Sequence, residues 1–397
     1  MNKPAFLPLL PFAVLLFVLP FPSTVALRLL CLAMAFAIAL CSWRRLAPPP
    51  VPCKPALLAW AVVALASLPY AVDRAYSLGE IKNEIGYAMM AFVAYFAITG
   101  TLSDLRRWST VVVASAAGIG AWAMAAGMKS GSWIDGGLYG GVGTFASLAV
   151  VAVPLFLPAW GGLSGRGRAV LALAAVVILA ASVFSQQRIL WAVFGVQFIV
   201  AIVLLRNAGL LRIGRYALAA IVVGSITLAG ATLLFVHAQK TELSPPDIQA
   251  LDKDMRLAHW GRVFARIEAH PLVGAGFGRE TMKKAYPDLV PTTVPESQLW
   301  HPHNLFLTYG IAMGWPGMLV LLAVFVSLLA GYWKSLSGAG NDRRLAAIAG
   351  IVLILGVVTR NLTNDFFVRD GALLFWALNG ALLGYLGRPD VPATGAA

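Results

Sequence analysis

All five histidines of the 397-residue chain lie within less than a fifth of its length: His237, His259, His270, His301 and His303. Random placement rarely gathers five residues of one type so closely, so we expect at least one of them to have a chemical role. The alternative is that histidine is simply a tolerated polar residue in a water-exposed loop. Histidine titrates near neutral pH, and its neutral ring can take a proton from a reacting group.

His303 is the strongest candidate for such a general base. Pro302 precedes it and the apolar run 305–313 follows, so a helix is predicted to begin near His303. The positive end of a helix favours the neutral form of an imidazole, which is the form that accepts a proton. His301, two residues earlier, is the alternate candidate.

A second helix is predicted upstream of these two histidines. Ser244-Pro245-Pro246-Asp247 is typical of a helix start, and His270-Pro271 of a helix end. Helical spacing places four residues on one face, namely Arg256, Trp260, Val263 and Ile267. Arg262 and Arg266 form a second basic stripe.

A glycine-rich turn, Leu272 to Gly278, follows that helix. Gly274 and Gly276 could let the backbone approach a phosphate group, because glycine has no side chain to keep a ligand away. They could equally be needed only for a tight turn. The sequence leaves both interpretations open.

Arg188 is predicted at the outer mouth of a membrane span, in Ser185-Gln186-Gln187-Arg188. A charged side chain at a membrane entrance can simply extend to the interface. The guanidinium group is also a permanently charged, planar fork that suits phosphate oxygens. We therefore interpret Arg188 as a candidate anion ligand.

The elements that must position these residues are membrane helices. The chain is 59% hydrophobic and only 12% charged, with a mean hydropathy of +0.79, whereas soluble domains are about 25% charged. A span needs about 20 apolar residues. The predicted spans are 5–21, 24–43, 55–72, 83–100, 108–127, 139–159, 168–184, 188–205, 214–236, 315–335, 343–360 and 369–387.

The fold class is therefore an all-α polytopic membrane protein with about twelve transmembrane helices. The first apolar run has no small-residue cleavage site after it and is interpreted as an uncleaved span. The net charge of +13 lies in short runs between apolar segments, a distribution that does not favour a nucleic-acid partner. Cys31, Cys41 and Cys53 do not form a disulfide framework or a metal-site pattern.

The distribution of lysine and arginine over the loops predicts the orientation of the chain in the membrane. With the N-terminus inside, cytoplasmic loops receive fifteen of them and the short outer loops only six: Arg74, Lys82, Lys129, Arg188, Arg360 and Arg369. Positive charge accumulates on the cytoplasmic side. Both termini are therefore predicted to be cytoplasmic, and the histidine-bearing segment to be outside.

Three regions result: residues 1–236 with nine transmembrane helices, residues 237–314 as one large, mostly helical outer loop, and residues 315–397 with three transmembrane helices and a short cytoplasmic tail. The predicted cytoplasmic loops are short, and none contains a glycine-rich phosphate-binding motif. We therefore expect no site for ATP or a nucleotide sugar there, and a function located in the outer loop.

The motifs resemble those of bacterial O-antigen ligases. His303-Asn304, nine residues, Gly314, two residues and Gly317 is similar to the H-[NSQ]-x9-G-x-x-G pattern of that family. The run from Arg256 to Gly276 resembles the family's upstream stretch. Ser185 to Trp191 resembles loosely the S-R-x-x-W stretch of the wider ligase and polymerase superfamily, because two glutamines intervene here. The resemblance covers roughly residues 180–320.

The resemblance implies a GT-C-like glycosyltransferase of the Gram-negative inner membrane. Its donor would be O-antigen polysaccharide on undecaprenyl diphosphate, its acceptor the lipid A–core oligosaccharide, and its active site would face the periplasm, with no metal or other cofactor. Position by position it implies the catalytic residues His303, Arg256 and Arg188. The expected substrate-binding residues are Trp260, Arg262, Arg266, Gly274, Gly276, His301 and Asn304. The expected partners are these two substrates and membrane lipid; the oligomeric state is left open.

Four alternatives stay open. An O-antigen polymerase or a protein O-oligosaccharyltransferase would share the donor and differ only in the acceptor. A metal-dependent transferase is suggested by Asp252-Lys253-Asp254, although residues two apart on a helix point away from each other. A lipid or oligosaccharide transporter would place more charges near the bilayer centre. A membrane scaffold would leave the clustered histidines and arginines unexplained.

Overall fold

The structure, a computed structural model, describes residues 9–130, 141–161, 163–214, 216–220, 223, 224, 227, 230, 246–290, 299–337, 340–365 and 367–389. The side chains of residues 22, 129, 130, 188 and 246–256 lie outside the described part. Within these ranges the chain forms helices, turns and bends and no strand. The predicted all-α class is confirmed for this part.

The helices, in chain order, are α1 Leu10–Val18, α2 Val25–Cys41, α3 Trp43–Leu46, α4 Lys54–Ala66, α5 Arg74–Glu80, α6 Tyr87–Ile98, α7 Leu102–Ser130, α8 Gly141–Trp160, α9 Gly165–Phe184, α10 Arg188–Asn207, α11 Pro246–Ala269, α12 Thr281–Ala285, α13 Leu305–Lys334, α14 Asn341–Asn361 and α15 Arg369–Leu386. A π-helical segment, Ile81–Gly86, joins α5 to α6.

Five described helices are long and apolar enough to cross a membrane: Leu102–Met128, Gly141–Trp160, Gly165–Phe184, Ile189–Asn207 and Leu305–Lys334. The chain is thus a multi-pass membrane protein. Shorter or more charged helices overlap the other predicted spans, except that 214–236 lies mostly outside the described residues. The total of twelve spans stays a prediction.

The helix around the fourth predicted span begins earlier than expected. The Asp73 side chain accepts a hydrogen bond of 2.9 Å from the Tyr76 backbone N–H and caps α5, a standard way to satisfy the first turn. The π-helical segment then continues the helix into α6. Glu80 and Glu84 are buried along this stretch. π-helical turns inside α-helices occur frequently at functional sites.

Close packing of α15 against α6 depends on two glycines one turn apart. A Cβ atom at Gly380 would overlap the carbonyl oxygen of Phe92, and one at Gly384 would overlap that of Phe96. Small residues at this spacing let helix backbones approach each other in membranes. This contact forms part of the bundle that supports the histidine-bearing end of the molecule.

Helix α13 contains a sharp kink at Gly314, whose φ of 67° is outside the helical range. The kink separates a first segment, which begins at Leu305 and which the sequence predicts to lie outside the membrane (the outer segment), from the predicted span that follows. Helix α11 packs on the outer segment, and a small apolar cluster joins the two: Val263, Ile267, Met282, Leu289, Leu307 and Ile311. The kink therefore positions α11 and the following turn beside the bundle.

Candidate active site

The glycine-rich turn is docked onto the kink of α13 by backbone hydrogen bonds. In an unbroken helix the carbonyls of Ile311 and Ala312 would bond the N–H groups of Trp315 and residue 316. Residue 316 is proline, which has no N–H, and Trp315 donates instead to the carbonyl of Pro271 at 2.8 Å. The N–H groups of Ala275 and Gly276 replace the missing donors, each at 2.9 Å.

Gly274 and Gly276 are packed against the protein itself. A Cβ at Gly274 would overlap the backbone of Ala312, and Gly276, with φ of 97°, lies against Ala71 and Ser77. The Gly276 amide is already bonded to Ala312. These contacts favour the tight-turn interpretation and do not support the prediction that the two glycines bind substrate.

Helix α11 presents the predicted apolar face to α13. Val263 and Ile267 are buried there, and Trp260 packs against the same cluster. The indole Nε1–H of Trp260 donates a hydrogen bond of 2.6 Å to the Pro302 carbonyl. Trp260 therefore holds the turn that carries the two histidines, so its role in the structure is positional.

His303 stands at the junction of this loop with the bundle. It is partly exposed and adopts a φ of 52°, in the left-handed region that few residues other than glycine enter. Its backbone N–H donates to Nδ1 of His301 at 3.1 Å, and the two rings lie 3.8 Å apart. An unusual backbone conformation held by its surroundings is typical of functional positions.

Asn364 is a side chain that bears on the tautomer of His303. The Asn364 Oδ1 atom accepts a hydrogen bond from the Asp365 N–H at 2.9 Å, which identifies it as an oxygen. The same oxygen lies 3.4 Å from His303 Nδ1. Because an amide oxygen can only accept, this contact favours the tautomer with the proton on Nδ1. In that tautomer the lone pair of the neutral ring is on Nε2, an atom that is buried in the structure.

His301 and Asn304 have supporting positions. His301 is buried, with its ring edge to face with Trp300 at 4.3 Å. The Asn304 side chain caps α13 by accepting from the N–H groups of Phe306 and Leu307, and it donates to the Leu362 carbonyl at 2.9 Å. These bonds use the Asn304 side chain to orient the start of α13, and the substrate contact predicted for Asn304 stays a prediction.

The second basic stripe divides into two different environments. Arg266 forms an ion pair of 2.6 Å with Asp288, and its guanidinium lies 4.9 Å from the centre of the Tyr286 ring. Arg262 is exposed. The ion pair offsets part of the charge of Arg266, and the substrate roles of Arg262 and Arg266 both stay predictions.

Two of the three predicted catalytic residues cannot be placed in full. Arg188 is the first residue of α10 and Arg256 lies within α11. Their side chains lie outside the described residues, as does His237. The catalytic roles of Arg188 and Arg256 therefore stay predictions.

His259 is a buried neighbour of this site. Burial lowers its pKa from 6.5 to about 4, and the charges of Arg262 and His303 act in the same direction. The ring is therefore neutral at pH 7. Its neutrality means that no additional positive charge opposes protonation of His303 during a reaction.

This burial predicts a pH-dependent stability. Between pH 6.5 and 4 the unfolded chain protonates His259 while the folded chain does not, so acidification destabilises the fold by up to about 1.4 kcal/mol per pH unit. We expect the thermal unfolding midpoint of the purified protein to fall over this range. The fall should be smaller in His259→Gln and unchanged in His270→Gln, which alters an exposed histidine. Equal pH profiles for all three proteins would contradict the assignment.

The sequence did not identify Arg279, or the residues of the loop between α14 and α15, as part of the site. Arg279 donates a hydrogen bond of 3.1 Å to the Asp365 carbonyl, and its guanidinium lies 5.5 Å from the centre of the Trp300 ring. Burial raises the pKa of the Asp365 carboxyl, and the charge of Arg279 opposes this. The signal in the sequence was the presence of arginines on the predicted outer side, against the charge bias.

Together, the fold and the site define a multi-pass helical membrane protein with a histidine site where one non-membrane segment meets the bundle. Residues 173–322 match a family model described as O-antigen ligase, which supports membership of the chain in the O-antigen ligase superfamily. The match includes both Arg188 and the His303 to Gly317 motif. A comparison with curated proteins finds no match.

Proposed function

We propose that this protein is an O-antigen ligase, which transfers O-antigen polysaccharide from undecaprenyl diphosphate to a sugar hydroxyl of the lipid A–core oligosaccharide. The observation that carries the proposal is the position of His303, which is partly exposed as a residue and contacts Asn364 through Nδ1, inside a segment that matches the O-antigen ligase family. In this proposal the reaction takes place on the periplasmic face of the inner membrane, and both termini are cytoplasmic.

The chemistry needs a base more than an acid. A sugar hydroxyl is a weak nucleophile until its proton begins to leave, and His303 Nε2 would take that proton. A lipid diphosphate is already a good leaving group, and the negative charge that develops on it needs stabilisation by cations. Arg188 and Arg256 are proposed for that role. Direct attack of the hydroxyl on the anomeric carbon inverts its configuration, and the donor bond supplies the energy.

The acceptor separates the ligase from its nearest alternative. An O-antigen polymerase would use the same donor and add it to another lipid-linked chain, and a protein O-oligosaccharyltransferase would add it to a polypeptide. The family match covers the ligase and polymerase superfamily without a signal for the acceptor. The assignment of lipid A–core as the acceptor rests on the resemblance of the histidine motif.

The experiment is an assay with purified protein, lipid-linked O-antigen and rough lipopolysaccharide, with and without a metal chelator. We expect polymer to appear on lipid A–core, in equal amounts with and without chelator. Longer lipid-linked chains would identify a polymerase, and loss of activity with chelator would contradict the metal-independent mechanism. If folded protein forms neither product, a transport function would be favoured.

A further inference from the structure

A cavity of about 270 Å³ opens at the end of the bundle that carries His303. Residues of α8, α14 and α15 line it, together with Leu19 and Pro20, which follow α1. Much of its wall is apolar, with Leu148 and Val151 of α8 and Leu374 and Phe375 of α15 as examples. The cavity is at the small end of the range for ligand sites, so it suits a headgroup better than a whole glycolipid.

Three arginines from different parts of the chain line this cavity. Arg360 comes from the last turn of α14 and is only 1% exposed, Arg369 begins α15, and Arg279 follows the glycine-rich turn. A buried guanidinium attracts an anion more strongly than an exposed one because the surrounding dielectric constant is low. Its fork of N–H donors matches the oxygens of phosphate groups.

The lining of the cavity contains more arginines than carboxylates. Asp370, the acidic residue among the described lining residues, forms an ion pair with the buried Arg28. Arg369 contacts Glu80 at 3.2 Å, which offsets part of its charge. Among the described residues the lining thus has three guanidinium groups and one carboxylate, a composition that suits an anionic ligand.

The cavity is connected to His303 by two short routes. Arg279 lines the cavity and donates to the carbonyl of Asp365, whose neighbour Asn364 contacts the His303 ring. The same guanidinium lies over Trp300, which contacts His301. A phosphate bound in the cavity would thus be held by the residues that also define the position of the base.

We propose that this cavity binds the diphosphate of the polyprenyl-linked donor, with Arg279, Arg360 and Arg369 as its ligands and the apolar wall against the first part of the lipid chain. The proposal rests on the proposed function and adds phosphate ligands to it. Phosphates of the acceptor glycolipid share this chemistry. The small, largely apolar cavity favours the donor, because a single narrow chain carries its phosphates.

The proposal also explains an exception in the charge pattern. Arg360 and Arg369 are two of the six positive residues that the sequence places on the outer side, where the orientation rule disfavours them. Their position in one cavity gives a reason for keeping them there. Arg74, another of the six, is exposed and does not line the cavity.

The test measures binding of sugar-free undecaprenyl diphosphate to the purified full chain by native mass spectrometry. We expect Arg369→Gln and Arg360→Gln each to weaken binding by about 10- to 100-fold, the size of a lost charged hydrogen bond. Arg74→Gln is the matched control and should bind as the wild type does. Thermal unfolding verifies that the variants fold. If Arg360→Gln does not fold, the test relies on Arg369→Gln, because the Arg369 side chain is 62% exposed.

Inorganic diphosphate and rough lipopolysaccharide serve as further probes. Wild-type binding of the lipid diphosphate by folded Arg369→Gln would overturn the proposal, as would a variant that loses affinity for rough lipopolysaccharide alone. Inorganic diphosphate binding as tightly as the lipid form would overturn the role of the apolar wall. His303→Ala should keep donor binding. Arginine-dependent binding without any ligation by the wild type would support the cavity site and contradict the proposed function.

Discussion

His303→Ala is expected to reduce ligation by ~10²–10⁴-fold, the usual contribution of a general base. Without Nε2 the acceptor hydroxyl must attack with its proton still in place. The assay is transfer of O-antigen to rough lipopolysaccharide by purified protein, with donor binding measured separately. We expect donor affinity to stay within about twofold, because a base acts on the acceptor and contributes mainly in the transition state.

Two other histidines provide controls for this prediction. His270→Ala changes an exposed residue of the same segment and should leave the rate unchanged. His301→Ala removes the ring that accepts the His303 N–H and stacks at 3.8 Å, so it should lower the rate less than His303→Ala does. A greater loss in His301→Ala, or a similar loss in all three variants, would contradict His303 as the base.

The helices and their approximate limits were predictable because they depend on local composition. Apolar runs long enough to cross a membrane, the start of α13 just after Pro302 and the end of α11 at Ala269 all follow from residues close in sequence. The early start of α5 was missed because one aspartate cap, at Asp73, decided it. Such a cap is satisfied by a single hydrogen bond and leaves no periodic signal.

The candidate site was only partly predictable because it depends on contacts distant in sequence. Arg266 and Asp288 pair across a turn, and Asn364 reaches His303 from a loop sixty residues away. Neither partner shows up in a spacing pattern. A motif can therefore indicate His303 as a candidate base, whereas the folded chain is needed to show which side chains contact its ring.

Gly274 illustrates how the same motif supports two different roles until the fold is known. In sequence it belongs to a glycine-rich turn, which suits either phosphate binding or tight packing. In the structure its missing side chain leaves space for the backbone of Ile311 and Ala312. The two roles make different predictions for the same substitution, so they can be separated by experiment.

Gly274→Ala is expected to destabilise the protein by about 2–4 kcal/mol, from overpacking and from loss of buried hydrogen bonds. Its Cβ would lie 2.5 Å from the Ile311 carbonyl oxygen, a backbone atom that cannot rotate away. If the turn moves away from α13 to relieve this overlap, the carbonyls of Ile311 and Ala312 lose their hydrogen bonds from the N–H groups of Ala275 and Gly276. Thermal unfolding and ligation should both be impaired, because the turn that leads to Arg279 is displaced.

Gly261→Ala is the matched control, because it makes the same change in the same segment where nothing lies within 4 Å of the added Cβ. On the exposed side of α11 it should stabilise the helix by up to about 1 kcal/mol, with no change in ligation. The phosphate-binding interpretation predicts a different pair of results. Gly274→Ala would then unfold at the wild-type temperature and lose affinity for undecaprenyl diphosphate. That result would favour the phosphate-binding interpretation, because the overlap with Ile311 and Ala312 predicts a lower unfolding midpoint.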